Sequence, residues 1–227
     1  MNRRNYIILA LLAAVVVAFI VVDCQRNPHR NPTPTTTLRG KALGTFYQIT
    51  IKGTPSPSFE ARLDSLFLAP STIDGDPSPD ISGLIGQFAH GNEPSHHILY
   101  LYAILGEPYK TAERVRQVMS EQYHDAPDGL SGNEDMGQMS AWYILSAMGL
   151  YEVEPASGRY WFGSPIVDRA ELTVESGIFT IETTNNSDTN IYIKSVKLNG
   201  KPYTLPYIDH ADIARGGKLT FEMGAQP

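Results

Sequence analysis

Gly91-Asn92-Glu93-Pro94-Ser95-His96-His97 puts an amide, a carboxylate, a hydroxyl and two imidazoles at the mouth of one helix. Pro94 turns Glu93 away from the α region and is itself suited to the first helical position, so the sequence predicts a helix that starts at Pro94 with Glu93 at its cap. Ile98, Leu101, Tyr102 and Leu105 continue at helical spacing, and Gly106 stops the run. A second helix from about Thr111 buries Val115, Val118, Met119 and Tyr123 and turns Glu113, Arg114, Arg116 and Gln117 to water. The two helices make an antiparallel hairpin. At a positive helix end a charged carboxylate is favoured by about 0.3–1 kcal/mol, so Glu93 suits an acceptor, a base or a hard-cation ligand, not a proton donor. Helix capping alone accounts for one Glu-Pro step; it does not account for this density of polar groups.

A second polar stretch, Asp128-Gly129-Leu130-Ser131-Gly132-Asn133-Glu134-Asp135-Met136-Gly137-Gln138-Met139-Ser140-Ala141-Trp142-Tyr143, opens a third helix. Asn133 is the natural N-cap, which places Glu134 and Asp135 in the first turn. From 136 to 150 the helix is apolar nearly all round, as expected of an inner helix enclosed by others, with Gly149 near its end. One such helix is explained by carboxylates complementing a dipole. Two in one chain, both opening on glycine, amide and carboxylate, point to a shared cleft.

Upstream of the first stretch, residues 80–90 carry two glycines among apolar residues, the mark of close packing, and residues 59–68 form a short helix. Downstream, residues 159–162, 170–175, 178–183, 191–198 and 218–223 alternate as strands between turn signals, and Asn199-Gly200 is a hairpin turn. All pairings in this region are expected to be antiparallel. At the N-terminus Arg3 and Arg4 precede an apolar run over 6–22, followed by Asp23 and Cys24. That is an export signal, read first as an uncleaved membrane anchor, with Cys24 as an alternative lipoprotein site. A Pro-, Asn- and Thr-rich linker follows over 26–38, then one strand ending at Gly53, without visible partners.

The balance of 18 basic against 24 acidic groups in 227 residues gives a net charge of -6, which supplies no basic face for nucleic acid. Neutral substrates such as sugars stay open. Cys24 is the single cysteine, so there is neither an internal disulfide nor a thiolate zinc site.

The blocks 80–97 and 128–143, Gly163-Ser164-Pro165, Leu198-Asn199-Gly200-Lys201-Pro202-Tyr203, Gly216-Gly217 and Phe221-Glu222-Met223-Gly224 together resemble the C-terminal part of glycoside hydrolase family 92, the calcium-dependent exo-α-mannosidases, from about residue 63 onward. Residues 1–53 are similar to the start of the ApbE-type flavin transferases, but nothing downstream matches that family's flavin or magnesium sites. The resemblance implies an α+β fold: the last helices of an (α/α) toroid, a small antiparallel β region, and an N-terminal membrane anchor. Its segments would be a signal or anchor over 1–24, a linker and stray strand over 25–58, a toroid fragment over 59–150 and the β region over 151–227. With most of a toroid absent, Trp142 and its neighbours are expected to be partly wet and the chain prone to association.

The same resemblance implies inverting hydrolysis of terminal α-mannosyl linkages in an α-mannoside glycan, and the export signal over 1–24 places the chain in the periplasm or at the cell surface. Inversion needs a protonated acid and an ionised base about 6.5–9.5 Å apart. Asp135, and after it Glu134, stands where the resemblance places the base, with Asn133 where some relatives carry another acid. Glu93 and Asn92 fit as oxygen ligands to Ca2+, with His96, His97, Asn133 and Trp142 lining the sugar pocket. Neither stretch offers the apolar burial that raises a carboxyl's pKa, so the general acid is expected in the family's upstream portion and the chain to be weak or inactive by itself. The alternative is a non-catalytic carbohydrate-binding or structural remnant.

Overall fold

The structure is a computed structural model that describes residues 35–42, 45–52, 57–73 and 81–227. The proposed anchor over 1–24, Cys24, most of the linker and Asp80 lie outside these residues. Among the described residues no helix is long and apolar enough to cross a membrane. The chain divides into two compact units, residues 1–37 with 50–54 and residues 38–49 with 55–227; the candidate site lies wholly in the second.

Strand β1 (Thr35–Ala42) pairs with β2 (Thr45–Lys52), so the single strand expected over 38–53 is a two-stranded pair whose first strand reaches back into the last residues of the linker. Helix α1 (Pro57–Leu68) buries Leu63 and Phe67. Its outer carboxylates, Glu60 and Asp64, are one turn apart, and the Lys110 ammonium bridges them at 2.6 and 2.7 Å. Next, β3 (Leu84–Ile85) and β4 (Phe88–Ala89) form a small antiparallel hairpin. Gly86 sits in its turn at φ +62°, pressed so closely on the backbone of Leu66 and Phe67 that a side chain has no room.

The helix expected from Pro94 is broken. Residues Glu93–Ser95 and Ile98–Tyr100 are separate 3-10 turns, and only α2 (Leu101–Ile104) is α-helical before Gly106 ends it at φ +90°. Glu93 is therefore in a single short turn, with Asn92 as the cap, and lacks the long helix dipole that the sequence reading gave it. Helix α3 (Pro108–Glu121) starts earlier than expected, with Pro108 in its first turn. Val115, Val118 and Met119 are buried as expected. Arg116 is not on the wet side: its guanidinium donates to Ser164 Oγ at 2.9 Å and Asn186 Oδ1 at 2.8 Å, tying α3 to the loops of the β region.

Helix α4 runs over Gln138–Ala147 and is capped by Gly137 at φ +87°, not by Asn133. Glu134 and Asp135 precede it. One face is buried through Met139, Trp142, Ser146 and Ala147, while Ser140, Ala141 and Ile144 face outward, so the helix is not enclosed all round. Trp142 is fully buried, contrary to the expected wet tryptophan. The reason is local: His90, His96 and Tyr123 pack around its ring, so the indole does not depend on absent neighbours.

The remainder is two sheets. Strands β5 (Leu150–Tyr151), β6 (Arg159–Phe162) and β11 (Tyr207–Asp209) form one, in the order β11-β6-β5. Strands β7 (Arg169–Val174), β8 (Gly177–Thr184), β9 (Tyr192–Leu198), β10 (Lys201–Pro202) and β12 (Gly217–Gly224) form the other, in the order β10-β9-β12-β8-β7. The short helix α5 (His210–Ala214) precedes β12. The Asn199-Gly200 turn joins β9 to β10 with both residues at positive φ, +52° and +77°. The purely antiparallel expectation fails at one pair: β12 inserts between β9 and β8 and runs parallel to β8. Two cores result, one around Phe88, Leu99, Val115 and Trp142, the other around Phe179, Ile181, Leu219 and Phe221.

Candidate functional site

The two polar stretches meet backbone to backbone, and glycine makes that possible. A Cβ on Gly91 would run into Ser82 Oγ and the Ser131 carbonyl, and one on Gly132 would again strike Ser82 Oγ. Ser82 is the rivet: its hydroxyl donates to Ser131 O at 3.2 Å, and its carbonyl accepts the Gly91 N–H at 3.1 Å. His90 N–H adds a bond to Gly83 O at 3.0 Å. The glycines of 80–90 thus pack against the site, as their pattern indicated, although no sequence signal singled out Ser82.

This junction sets the Glu93 carboxyl beside that of Asp135. That contact holds the Asp135 carboxyl above its ordinary value, with burial and repulsion from the Glu93 charge adding to it. Glu93 Oε1 is buried and has no hydrogen-bond partner. Two neighbouring carboxyls make a place where a cation is electrostatically favoured. Glu134 points elsewhere: its carboxylate accepts the Ser140 N–H and the Ser140 hydroxyl, both at 2.9 Å. Between them, Asp135, Met136 and Gly137 are all left-handed, at φ +48°, +59° and +87°.

The remaining expected residues divide between surface and interior. Asn92 is half-buried and makes no capping bond, and Asn133 is exposed. His97 is half-buried, its ring bonded to the Pro94 carbonyl and its pKa lowered by burial. His96 is fully buried and so lies behind the surface rather than lining it; one ring nitrogen donates to His90 O at 3.0 Å, and the other accepts from Gln138 Nε2 at 3.3 Å. Trp142 lies equally deep, its indole N–H on His96 O at 3.3 Å. Beneath them is a residue the reading did not select, His90. Tyr123 donates its hydroxyl to Met139 O at 3.1 Å, so at 2.7 Å it accepts from His90 Nε2–H, which leaves Nδ1 as an unpaired buried acceptor. Burial, with repulsion from His96, depresses His90 to about 3, so it is neutral. His90 and His96 stack at 4.6 Å and support the site from below.

The two carboxyls adjoin without sulfur, a donor type that suits a hard cation such as calcium, with Asn92 next to Glu93 in the chain. Among the described residues no three His, Cys, Asp or Glu side chains gather as a complete cage, so the donors present make up only part of a coordination sphere. A separate cleft of about 290 Å³, lined by Tyr109, Phe162, Tyr192 and Tyr203, shares no residue with this pair.

The catalytic-domain pattern of glycosyl hydrolase family 92 matches residues 50–225, beginning earlier than residue 63, where the sequence resemblance sets in. A family 92 α-mannosidase from Bacteroides thetaiotaomicron is 42% identical, covers 74% of this chain and 22% of its own, and superposes with a TM-score of 0.68. Its complex with mannoimidazole gives 0.71 at 41% identity. A family 92 inverting mannosidase from the same species is 37% identical, with a TM-score of 0.62 over 74% of this chain and 24% of its own. An uncharacterized secreted glycosidase from Arthroderma benhamiae is 30% identical over 140 residues, 60% of this chain and 18% of its own. The chain thus spans about a fifth of the length of these relatives. With its pattern running through both polar stretches and the β region that follows, the chain belongs to glycosyl hydrolase family 92.

Proposed function

We propose that this domain supplies the base-bearing, cation-holding side of an α-mannosidase site. The observation that carries the reading is the contact between Glu93 and Asp135. An inverting pair is separated by about 6.5–9.5 Å to admit water, and a retaining pair by about 5–5.5 Å. Carboxyls in direct contact fit neither spacing, so Glu93 is not the acid partner of Asp135 and both belong to one side of the sugar. Asp135 is the base that takes a proton from the attacking water. Glu93 and Asn92 would hold calcium, which when bound polarises oxygen ligands and favours the ionised form of Asp135. His97 and Asn133 flank the sugar, while His96 and Trp142 fix the floor. The substrate is the non-reducing mannose of an α-linked glycan, and the acid comes from residues other than these.

Turnover by the 227-residue chain is accordingly slow or nil. The apolar run over 6–22 supports export with retention at a membrane, which fractionation of expressing cells would test. For the activity itself, mannose release from an α-1,2-linked mannobiose is measured with and without calcium. Fast release that persists in Asp135→Asn would overturn the choice of base.

A further inference from the structure

We propose that Glu134 is a positioning residue: by gripping Ser140 with both carboxylate oxygens, it locks the left-handed turn of Asp135, Met136 and Gly137 that carries the Asp135 carboxyl to Glu93. The inference rests on the reading of Glu93 and Asp135 as the site's working pair.

Three features of the turn lead to this. First, helix α4 has glycine as its N-cap, and glycine has no side chain to accept the N–H of the third helical residue, Ser140. Glu134, just upstream of that cap, supplies the acceptor at 2.9 Å and closes the ring with a second bond from the Ser140 hydroxyl, also 2.9 Å. Second, packing does not hold the turn. Met136 is fully exposed, and a Cβ on Gly137 would meet nothing within 4 Å. Third, left-handed backbone at two successive non-glycine residues is costly and persists only where the surroundings fix it. Two backbone bonds help, Gln138 N–H to Asp135 O at 3.2 Å and Met139 N–H to Glu134 O at 3.3 Å, but both are long. Glu134 is thus the side-chain clamp of the segment, and with both oxygens engaged it is not the base.

The test uses the isotopically labelled 227-residue chain, with Glu134→Ala, Glu134→Gln and Ser140→Ala. Three-bond amide-to-Hα couplings of Asp135 and Met136 report their φ, and calorimetric titration with calcium chloride reports the cation site. Glu134→Ala is expected to average those couplings and to weaken calcium binding severalfold, because the Asp135 charge no longer stands beside Glu93, with the far-UV circular dichroism unchanged. Glu134→Gln keeps one acceptor oxygen and restores part of both. Native couplings in Glu134→Ala overturn the proposal. If the wild type takes up no calcium while Glu134→Ala still loses the turn, the positioning role stands and the cation reading fails. If Glu134→Ala does not fold, Ser140→Ala reads the same couplings: averaged values support the clamp, and native values overturn it.

Discussion

The Glu93 carboxyl stands beside that of Asp135 and raises the pKa of the Asp135 group. A raised carboxyl binds its proton more tightly in the folded chain than in the unfolded one. Its contribution to stability is therefore fully present below the ordinary value of 3.8 and is lost as pH rises through the folded value. Asp135→Asn is expected to remove this pH dependence and to leave the melting temperature at neutral pH equal to or above that of the wild type. Calcium should raise wild-type stability at neutral pH, and should raise that of Asp135→Asn less, because one of the two adjoining charges is gone. Melting curves across pH 3 to about 7, with and without calcium, check both expectations.

His90 gives the opposite slope. Its pKa falls from 6.5 to about 3 because a charged imidazole is not tolerated among Trp142, Tyr123 and His96. The unfolded chain binds the proton first, so the stability held above pH 6.5 declines as pH falls toward 3, by at most about 1.4 kcal/mol per pH unit. Urea titrations at several pH values should show this decline, and His90→Phe should flatten it. An equal slope in His90→Phe would place the acid sensitivity elsewhere.

Gly91→Ala tests the junction of the two polar stretches. Its Cβ meets the Ser131 carbonyl, which is backbone and cannot swing away. Overpacking of this kind costs about 1–3 kcal/mol, and here it also forces the Glu93 and Asp135 segments apart. The expected result is a lowered denaturation midpoint together with weaker calcium binding. Gly137→Ala, with open space around its Cβ, strains only the backbone at φ +87°.

Trp142→Ala should destabilise by about 3–5 kcal/mol, the usual loss for a fully buried aromatic. His96 O also loses its indole donor. Equilibrium unfolding in urea measures the change. A loss below about 1 kcal/mol would mean that the indole is not the centre of this core.

For catalysis, fusing this chain to the upstream portion of the related Bacteroides α-mannosidase is expected to give calcium-dependent mannose release. In that protein Asp135→Asn should lower kcat by about 10²–10⁴, the range for loss of a general base, and Glu93→Gln should chiefly raise the calcium concentration required. Unchanged kcat in Asp135→Asn would exclude it as the base.

The sequence alone determined what depends on neighbouring residues. Alternation fixed the strands at 159–162 and near 170–223, the apolar stripe fixed the buried side of α3, and Asn199-Gly200 fixed its hairpin, because side-chain period and turn chemistry are local properties. The density of polar groups likewise marked both stretches that form the candidate site. Tertiary structure decided what depends on distant partners. Glu134 left the helix it was assigned to because Ser140 offered two donors and Gly137 took the cap. His96 and Trp142 went inside because each found its hydrogen-bond partners there. The β12 strand ran parallel to β8 because the chain returns through β11 and α5 and enters between β9 and β8, a direction that no alternation pattern encodes. The meeting of Glu93 with Asp135 follows from Gly91 and Gly132 being small enough for two backbones to touch, a fact of three-dimensional space that spacing along the chain does not carry.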